Sequence, residues 1–180
     1  MKISSKAAVI LLLAAVVLLA RGILVDEPSS STTPAEEIAL EPATAEVVRV
    51  FDGDSLVVRY DDGRRVEVRI QGIDAPERKQ PYAHQSRGNL RRILRGEQIR
   101  VMPRGRDRYD RIIAQLVVND RDVGLQQIEE GFAWHYRRYA DEQPSDERDR
   151  YAKAEDRARR LGKGLWKDPR PIPPWEYRQH

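Results

Sequence analysis

Residues 55–70 read SLVVRYDDGRRVEVRI, and this stretch does most to define the type of fold. Its first part, Ser55 to Tyr60, is rich in Leu and Val, and the following Asp61-Asp62-Gly63 is a turn sequence typical of β-hairpins. From Arg65 to Ile70 charged and apolar residues alternate, which is the period of a strand with one buried face. The stretch therefore predicts two antiparallel strands joined by a tight turn.

Further strands and helices are predicted on both sides of this hairpin. Short apolar runs predict strands at 47–51, 98–102 and 112–118. Helical periodicity predicts helices at 84–94, 122–130 and 145–161, with Asp122 and Ser145 as N-terminal caps and glycines near the C-terminal ends. Five short strands and about three helices indicate an α+β protein with a small barrel. From the pattern alone, an OB-like barrel is one possibility among several.

The composition limits the chemistry that the chain can perform. The 180 residues include no cysteine, which excludes disulfides, cysteine-based zinc sites and a thiol nucleophile. The formal net charge is +3 and the sequence pI is about 9.2, values that are compatible with a polyanionic partner without requiring one.

The N-terminal part of the chain is predicted to lie outside the folded domain. Residues 1–25 contain an unbroken apolar run from Ala7 to Ala20, the length of a signal-peptide core. If Arg21 is tolerated, the apolar stretch 7–25 would instead anchor the protein in a membrane. Residues 26–45, rich in Ser, Thr, Pro and Glu, predict a disordered linker. We therefore expect an exported protein, periplasmic or extracellular or anchored to the membrane, with a domain at 46–168 and a proline-rich tail at 169–180.

Three polar clusters between the predicted elements contain the candidate functional residues. Residues 52–55 read DGDS, residues 69–77 read RIQGIDAPE and residues 107–111 read DRYDR. Taken alone, each cluster is explained at least as well by an ordinary solvated loop. The first cluster also lacks the ligand spacing of an EF-hand calcium loop.

Taken together, the clusters suit the hydrolysis of a phosphodiester bond. A hard cation such as Ca²⁺ prefers oxygen ligands, and Asp54 and Asp74 offer two carboxylates from neighbouring loops. Glu77 is a candidate to orient or deprotonate the attacking water. Arg69 and Arg111 are candidates to stabilise the developing negative charge, because a planar guanidinium donates in pairs to phosphate oxygens.

The order of these motifs resembles the staphylococcal nuclease (thermonuclease) family. Residues 131–136 (GFAWHY) and 164–166 (GLW) extend the resemblance from about Val47 to Trp166, and PIPPWEYR at 171–178 is similar to the tail of bacterial members. The segment IDAPE is the most specific part. The resemblance implies an OB-fold, five-stranded β-barrel with about three helices. It also implies calcium-dependent endonuclease action on DNA and RNA.

The resemblance implies a metal-binding role for four of the matching residues. Asp54 and Asp74 correspond to the carboxylates that bind calcium in the family, and Ala75 to a position that supplies a backbone carbonyl. Asp52 corresponds to an acidic position beside the metal, with a supporting role. Ala75 stands where the best-known member has threonine, so a water held by that hydroxyl would be lost while the carbonyl remains.

The resemblance implies a catalytic or substrate-binding role for four others. Glu77 corresponds to the proposed general base, Arg69 and Arg111 to the arginines that bind the scissile phosphate, and Tyr109 to a tyrosine near that phosphate. Asp110 replaces a glycine that is usual before the last arginine. We expect the aspartate to tolerate the left-handed backbone there and to add a negative charge beside Arg111.

Two functions of other classes remain open at the level of the sequence. One is a catalytically inactive OB-fold module that binds nucleic acid, and the other is a membrane-tethered interaction domain. Trp134, Tyr136 and Tyr139 lie among arginines, a pattern that suits stacking on single-stranded nucleic acid or packing of a helix end in equal measure. No obligate protein partner is indicated, and we expect a monomer.

Overall fold

The computed structural model describes residues 41–179. The predicted signal peptide or anchor at 1–25, and most of the predicted linker at 26–45, lie outside this range. Between residues 41 and 179, no helix is long and apolar enough to cross a membrane.

The described residues form eight strands and four α-helices. The strands are β1 (Ala43–Val50), β2 (Ser55–Tyr60), β3 (Arg65–Ile70), β4 (Ile73–Asp74), β5 (Gln98–Arg106), β6 (Ile112–Val118), β7 (Arg121–Asp122) and β8 (Trp134–His135). The helices are α1 (Ala83–Ile93), α2 (Val123–Glu129), α3 (Ser145–Arg160) and α4 (Pro174–Tyr177), and single 3₁₀ segments cover Arg137–Glu142 and Gly164–Lys167.

The five long strands close into a barrel. Their order is β3-β2-β1-β5-β6, with antiparallel neighbours, and a parallel pairing of β3 with β6 completes the ring. In that pairing Val68 lies opposite Ile112, and Ile70 lies opposite Ala114. The arrangement confirms the predicted α+β class and the OB-type barrel.

The barrel interior holds the hydrophobic core. Alternate residues of a strand point to opposite faces, and in β6 the buried positions alternate without a break from Ile112 to Val118. In β1 and β5 a shift of register interrupts this alternation. The most buried core side chains on the strands include Leu56, Val58, Val68, Ile70, Ile99, Val101, Ile112 and Leu116. Burial of these side chains determines which face of each strand points inward. It therefore also determines which residues lie at the ends of the barrel.

One of the two predicted helix caps is confirmed and the other is wrong by one residue. Asp122 accepts the backbone N–H of Leu125 at 3.0 Å and caps α2. The helix α3 begins at Ser145 itself, so the cap position falls on Pro144, whose side chain has no hydrogen-bonding group. Pro144 is extended (φ −52°, ψ 140°), which suits the residue that precedes a helix.

Two predicted boundaries differ from the structure because of contacts made across the fold. The first strand begins at Ala43, inside the predicted linker, because Ala45 is buried between Tyr60 and Ile99 on the neighbouring strands. The strand predicted at 98–102 continues to residue 106 through its pairing with β6. The proline-rich tail at 169–180 contains the short helix α4, whose Pro174 is buried.

Candidate active site

A cleft of about 650 Å³ lies at one end of the barrel. It brings all eight residues singled out in the sequence to one surface, namely Asp52, Asp54, Arg69, Asp74, Ala75, Glu77, Tyr109 and Arg111. The three polar clusters of the sequence therefore form one site, although they are far apart along the chain.

The loop between β1 and β2 holds Asp54 in place. The Oδ1 atom of Asp52 accepts the backbone N–H groups of Asp54 at 3.0 Å and of Ser55 at 2.8 Å, which makes the turn tight. Gly53 is required by close approach, because a Cβ atom there would lie 1.8 Å from the Oγ atom of Ser86. Asp52 thus stabilises the turn, and its predicted place beside a metal stays a prediction.

The carboxylate of Asp54 joins this loop to the second cluster. Its Oδ2 atom accepts the backbone N–H of Ala75 at 2.6 Å, and its Oδ1 atom accepts the hydroxyl of Ser55 at 2.9 Å. Ala75 follows β4, which pairs with β8 so that Asp74 lies opposite Trp134. The position of Asp74 beside Asp54 therefore depends on the hydrogen bond from Ala75 to Asp54 and on the pairing of β4 with β8.

Arg69 lies between the two buried carboxylates. Its Nη2 atom is 3.1 Å from Oδ1 of Asp74 and 3.2 Å from Oδ2 of Asp54. Its Nη1 atom donates to the carbonyl of Ile70 at 2.8 Å, which fixes the plane of the guanidinium. The side chains of Asp54 and Asp74 are only 8% and 2% exposed, so these ion pairs are shielded from water.

The site carries more negative charge than Arg69 alone can balance. Burial, followed by repulsion from Asp54, raises the pKa of Asp52 to about 7. Burial and the charge of Asp54 raise the pKa of Asp74 to about 6, although hydrogen bonds from Arg178 oppose this rise. Carboxylates crowded in this way are stabilised by an added cation, and their oxygen donors suit a hard ion.

Residues 41–179 contain no preformed metal site made of three or more such side chains. In that range, no three side chains of the His, Cys, Asp and Glu types are grouped closely enough to hold an ion. The role of Asp54 and Asp74 as metal ligands therefore stays a prediction.

Arg111 is held at the other side of the cleft by acidic neighbours. Its Nε atom is 2.7 Å from Oδ2 of Asp107, and its backbone N–H also donates to that carboxylate at 3.0 Å. Burial alone would raise the pKa of Asp107, but the hydrogen bonds from Arg111 and from the backbone of Tyr109 outweigh it and lower the pKa. Asp107 therefore stays charged and orients the guanidinium, a role that the sequence did not indicate.

Closure of the barrel brings the two predicted arginines to the same surface. Arg69 is opposite Ile113 in the parallel β3–β6 pairing, and Arg111 directly precedes β6. The side chains of Arg69 and Arg111 are 16% and 26% exposed, so each keeps part of its guanidinium open to the cleft.

The turn at Asp110 keeps its geometry in spite of the departure from glycine. Asp110 has φ 64°, in the left-handed region, as the sequence predicted. Its carboxylate pairs with Arg106 at 2.8 Å, whereas the ion-pair partners of Arg111 are Asp107 and Glu67. The extra negative charge is thus paired with a different arginine from the one expected.

Aromatic side chains border the cleft on two sides. Tyr109 is 67% exposed, with the guanidinium carbon of Arg108 at 4.9 Å from its ring centre. On the other side Tyr136 and Tyr139 lie in contact, with ring centres 5.6 Å apart, and Tyr139 is 52% exposed. Of the aromatic residues considered in the sequence, Trp134 is buried and does not line the cleft.

One residue of the site was missed in the sequence. Arg178, from the proline-rich tail, donates from Nη1 to Oε1 of Glu77 at 2.6 Å and from Nη2 to Oδ2 of Asp74 at 2.9 Å. Arg178 therefore connects Glu77 to the buried carboxylate of Asp74. The available signal was the tail tryptophan, Trp175, because a large aromatic residue in a tail needs a surface to pack against.

Comparisons with known proteins agree with the family resemblance found in the sequence. A family model described as "Staphylococcal nuclease homologue" matches residues 67–168. An "Uncharacterized endonuclease" of Haemophilus influenzae is 31% identical over 139 residues, which cover 77% of this chain and 75% of that protein. One of the same description from Escherichia coli is 35% identical over 133 residues, covering 73% and 82%. A "Probable staphylococcal-like nuclease" of Oryza sativa is 29% identical over 141 residues, covering 78% of this chain but 35% of that longer protein.

Proposed function

The chain belongs to the staphylococcal nuclease family and is a nuclease, and from this premise we propose that it is a calcium-dependent endonuclease that hydrolyses the phosphodiester bonds of DNA and RNA. One observation carries the proposal. The barrel places two buried carboxylates, a third carboxylate and two partly exposed arginines around a single cleft of about 650 Å³.

The donor set at the centre of the cleft fits Ca²⁺. Asp54 and Asp74 would hold the ion through carboxylate oxygens, and the carbonyl of Ala75 and water molecules would complete the oxygen ligands that calcium prefers. When bound, the cation would polarise the phosphoryl group and neutralise charge on it. The raised pKa of Asp74 supports this fit, because burial and a like charge penalise the metal-free carboxylate.

The two arginines are proposed to bind the scissile phosphate. Arg69 and Arg111 present planar guanidinium groups from neighbouring strands, and such groups donate in pairs to phosphate oxygens. Negative charge on those oxygens increases as water attacks the phosphorus, so the same contacts favour the transition state over the ground state.

Glu77 is proposed to take the proton of the attacking water. Its side chain is 38% exposed, and Arg178 bonds to its Oε1 atom and to Asp74. A carboxylate at the open edge of the cleft can contact solvent water and a bound phosphate at the same time, as a general base must.

The tyrosines that border the cleft are proposed to bind the nucleotides on either side of the cut. Tyr109 and Tyr139 are exposed and each has an arginine over its ring, at 4.9 Å for Arg108 and 5.9 Å for Arg138. Stacking together with phosphate contacts suits single-stranded nucleic acid and requires no base sequence.

The location of the protein stays a prediction based on residues 1–25. Export would place the enzyme where calcium is abundant enough for a low-affinity site. It would also keep a nuclease away from the genome of the cell that makes it.

The proposed function is tested by digestion of single-stranded DNA by the purified chain. We expect cleavage with Ca²⁺, none with a chelator, and a loss of several orders of magnitude in Glu77→Gln, which keeps the shape of the side chain but not its charge. The control is Glu97→Gln, a change of the same type in the loop before β5. Salt-sensitive binding without cleavage by the parent protein would instead support the inactive binding module.

A further inference from the structure

The C-terminal segment 171–178 packs across the candidate active site. The carbonyl of Ile172 accepts a hydrogen bond from Nε2 of Gln80 at 2.5 Å. The ring of Trp175 lies 5.6 Å from that of Tyr136 and 6.5 Å from that of Trp134. These contacts hold the segment in place independently of the charged groups at its end.

The segment ends with a guanidinium among the carboxylates of the site. Nη2 of Arg178 is 2.9 Å from Oδ2 of Asp74, and Nη1 is 2.6 Å from Oε1 of Glu77. Because Arg69 occupies Oδ1 of Asp74 at 3.1 Å, both oxygens of this buried carboxylate are bonded to guanidinium groups.

A metal ion that binds Asp74 would compete with these two groups, because Arg69 and Arg178 both donate to Oδ1, at 3.1 and 3.3 Å, and Arg178 also donates to Oδ2. Arg69 is fixed by its strand and by its bond to the carbonyl of Ile70, whereas Arg178 is 43% exposed and follows a helix of only one turn. An arginine cannot lose its proton in a protein, so Arg178 can leave Asp74 only by moving. The tether keeps it close to the carboxylate and raises its effective concentration there.

We propose that Arg178 is a tethered cation that competes with Ca²⁺ for Asp74, so that the C-terminal segment sets the metal affinity of the site. This inference rests on the proposed function, since it takes Asp74 to be a metal ligand. In the absence of calcium the segment satisfies the carboxylates, and calcium binding releases Arg178 from Asp74.

The inference is tested by calorimetric titration of the full chain with CaCl₂ at pH 8 and low ionic strength. We expect Arg178→Gln to bind Ca²⁺ at least tenfold more tightly than the parent. Arg170→Gln removes the same charge from an exposed position directly before the segment, outside the cleft, and should stay within twofold of the parent.

A second variant weakens the contact between Arg178 and Asp74 without replacing either residue. Trp175→Ala removes the aromatic anchor of the segment but leaves Arg178 in the chain, and it too should bind Ca²⁺ more tightly, because Arg178 is then held less firmly. If Arg178→Gln binds Ca²⁺ with an affinity equal to or weaker than that of the parent, this inference is overturned but the proposed function is not. The absence of calcium binding in both parent and Arg178→Gln would overturn it together with the calcium part of the proposed function.

Discussion

The carboxylate of Asp54 accepts the backbone N–H of Ala75 at 2.6 Å, so a proposed metal ligand from one loop positions the loop that carries the other. Asp54→Asn keeps an acceptor oxygen for this bond, and its amide can still pair with the hydroxyl of Ser55. We therefore expect little change in the melting temperature but a loss of calcium binding. Asp54→Ala removes the acceptor and leaves a buried N–H unpaired, at a cost of about 1–3 kcal/mol. Thermal unfolding and calorimetry of both variants distinguish the two effects; equal destabilisation by Asn and Ala would contradict this account.

Replacing Arg111 by lysine should lower activity although the charge is kept. Lysine cannot donate in pairs to phosphate oxygens or keep the same contact with Asp107, so kcat/KM on single-stranded DNA should fall roughly a hundredfold. The melting temperature should hardly change. Arg91→Lys, on the exposed face of α1, is the matched control and should retain full activity. An Arg111→Lys enzyme with unchanged kcat/KM would rule out a role for the planar guanidinium.

The exposed ring of Tyr139 should contribute to substrate binding more than to the chemical step. Tyr139→Ala is expected to raise KM for single-stranded DNA roughly tenfold, because stacking on one base is worth about 1–3 kcal/mol, with a much smaller change in kcat. Leu161→Ala, at an exposed apolar position outside the cleft, serves as the control. A fall in kcat with unchanged KM would show that the ring acts on the reaction and not on binding.

The left-handed backbone of Asp110 should make glycine the better residue for stability. Asp110→Gly removes the strain of φ 64° and only a solvent-exposed ion pair with Arg106. Asp110→Ala keeps the strain and loses the same pair. We expect the glycine variant to be more stable than the alanine variant by about 1 kcal/mol in denaturant unfolding. Equal stability of the two would mean that the turn relaxes when the aspartate is replaced.

The buried His135 should make the fold sensitive to mild acid. Burial lowers the pKa of this imidazole, its Nε2 lies 3.1 Å from Oε1 of Gln143, and its Nδ1 is buried without a partner. As the pH falls, the imidazole is protonated in the unfolded chain before it is protonated in the folded one. Above about pH 6.5 it is neutral in both states, so the free energy of unfolding is not reduced there. It is reduced as the pH falls from there towards the lower folded value, by at most about 1.4 kcal/mol per pH unit for one proton.

The variant His135→Gln tests this pH dependence directly. Its amide can still donate to Gln143 but does not titrate, so its free energy of unfolding should fall less than that of the parent between pH 7.5 and pH 5.5. Parallel curves for parent and variant would assign the acid sensitivity to other groups.

The local parts of the fold were predictable from the sequence. The alternation in residues 65–70 and the turn at 61–63 gave the hairpin β2–β3, because each depends only on neighbours along the chain. The carboxylates and arginines of the site were predictable for a related reason. Their types and order suit one reaction and resemble one family.

The remaining features depend on contacts between distant residues. No local pattern indicates that β3 pairs in parallel with β6, or that the strand at 98 continues to Arg106. The docking of Arg178 was missed for the same reason, because a proline-rich sequence predicts an extended chain without indicating the surface that it meets. Asp107 was seen only as part of a charged loop, and its contact with Arg111 follows from the turn at Asp110.

The parallel pairing of β3 with β6 also determines when the site can exist during folding. The hairpin β2–β3 forms from neighbouring residues, but Arg69 meets the segment of Arg111 only after the intervening chain has formed a closed loop, which has a large entropic cost. We therefore expect a chain that has formed only this hairpin to contain Arg69 and Asp54 without the second arginine in place. Hydrolytic capacity is therefore a property of the completed barrel, and a chain that has not finished folding carries no assembled nuclease site.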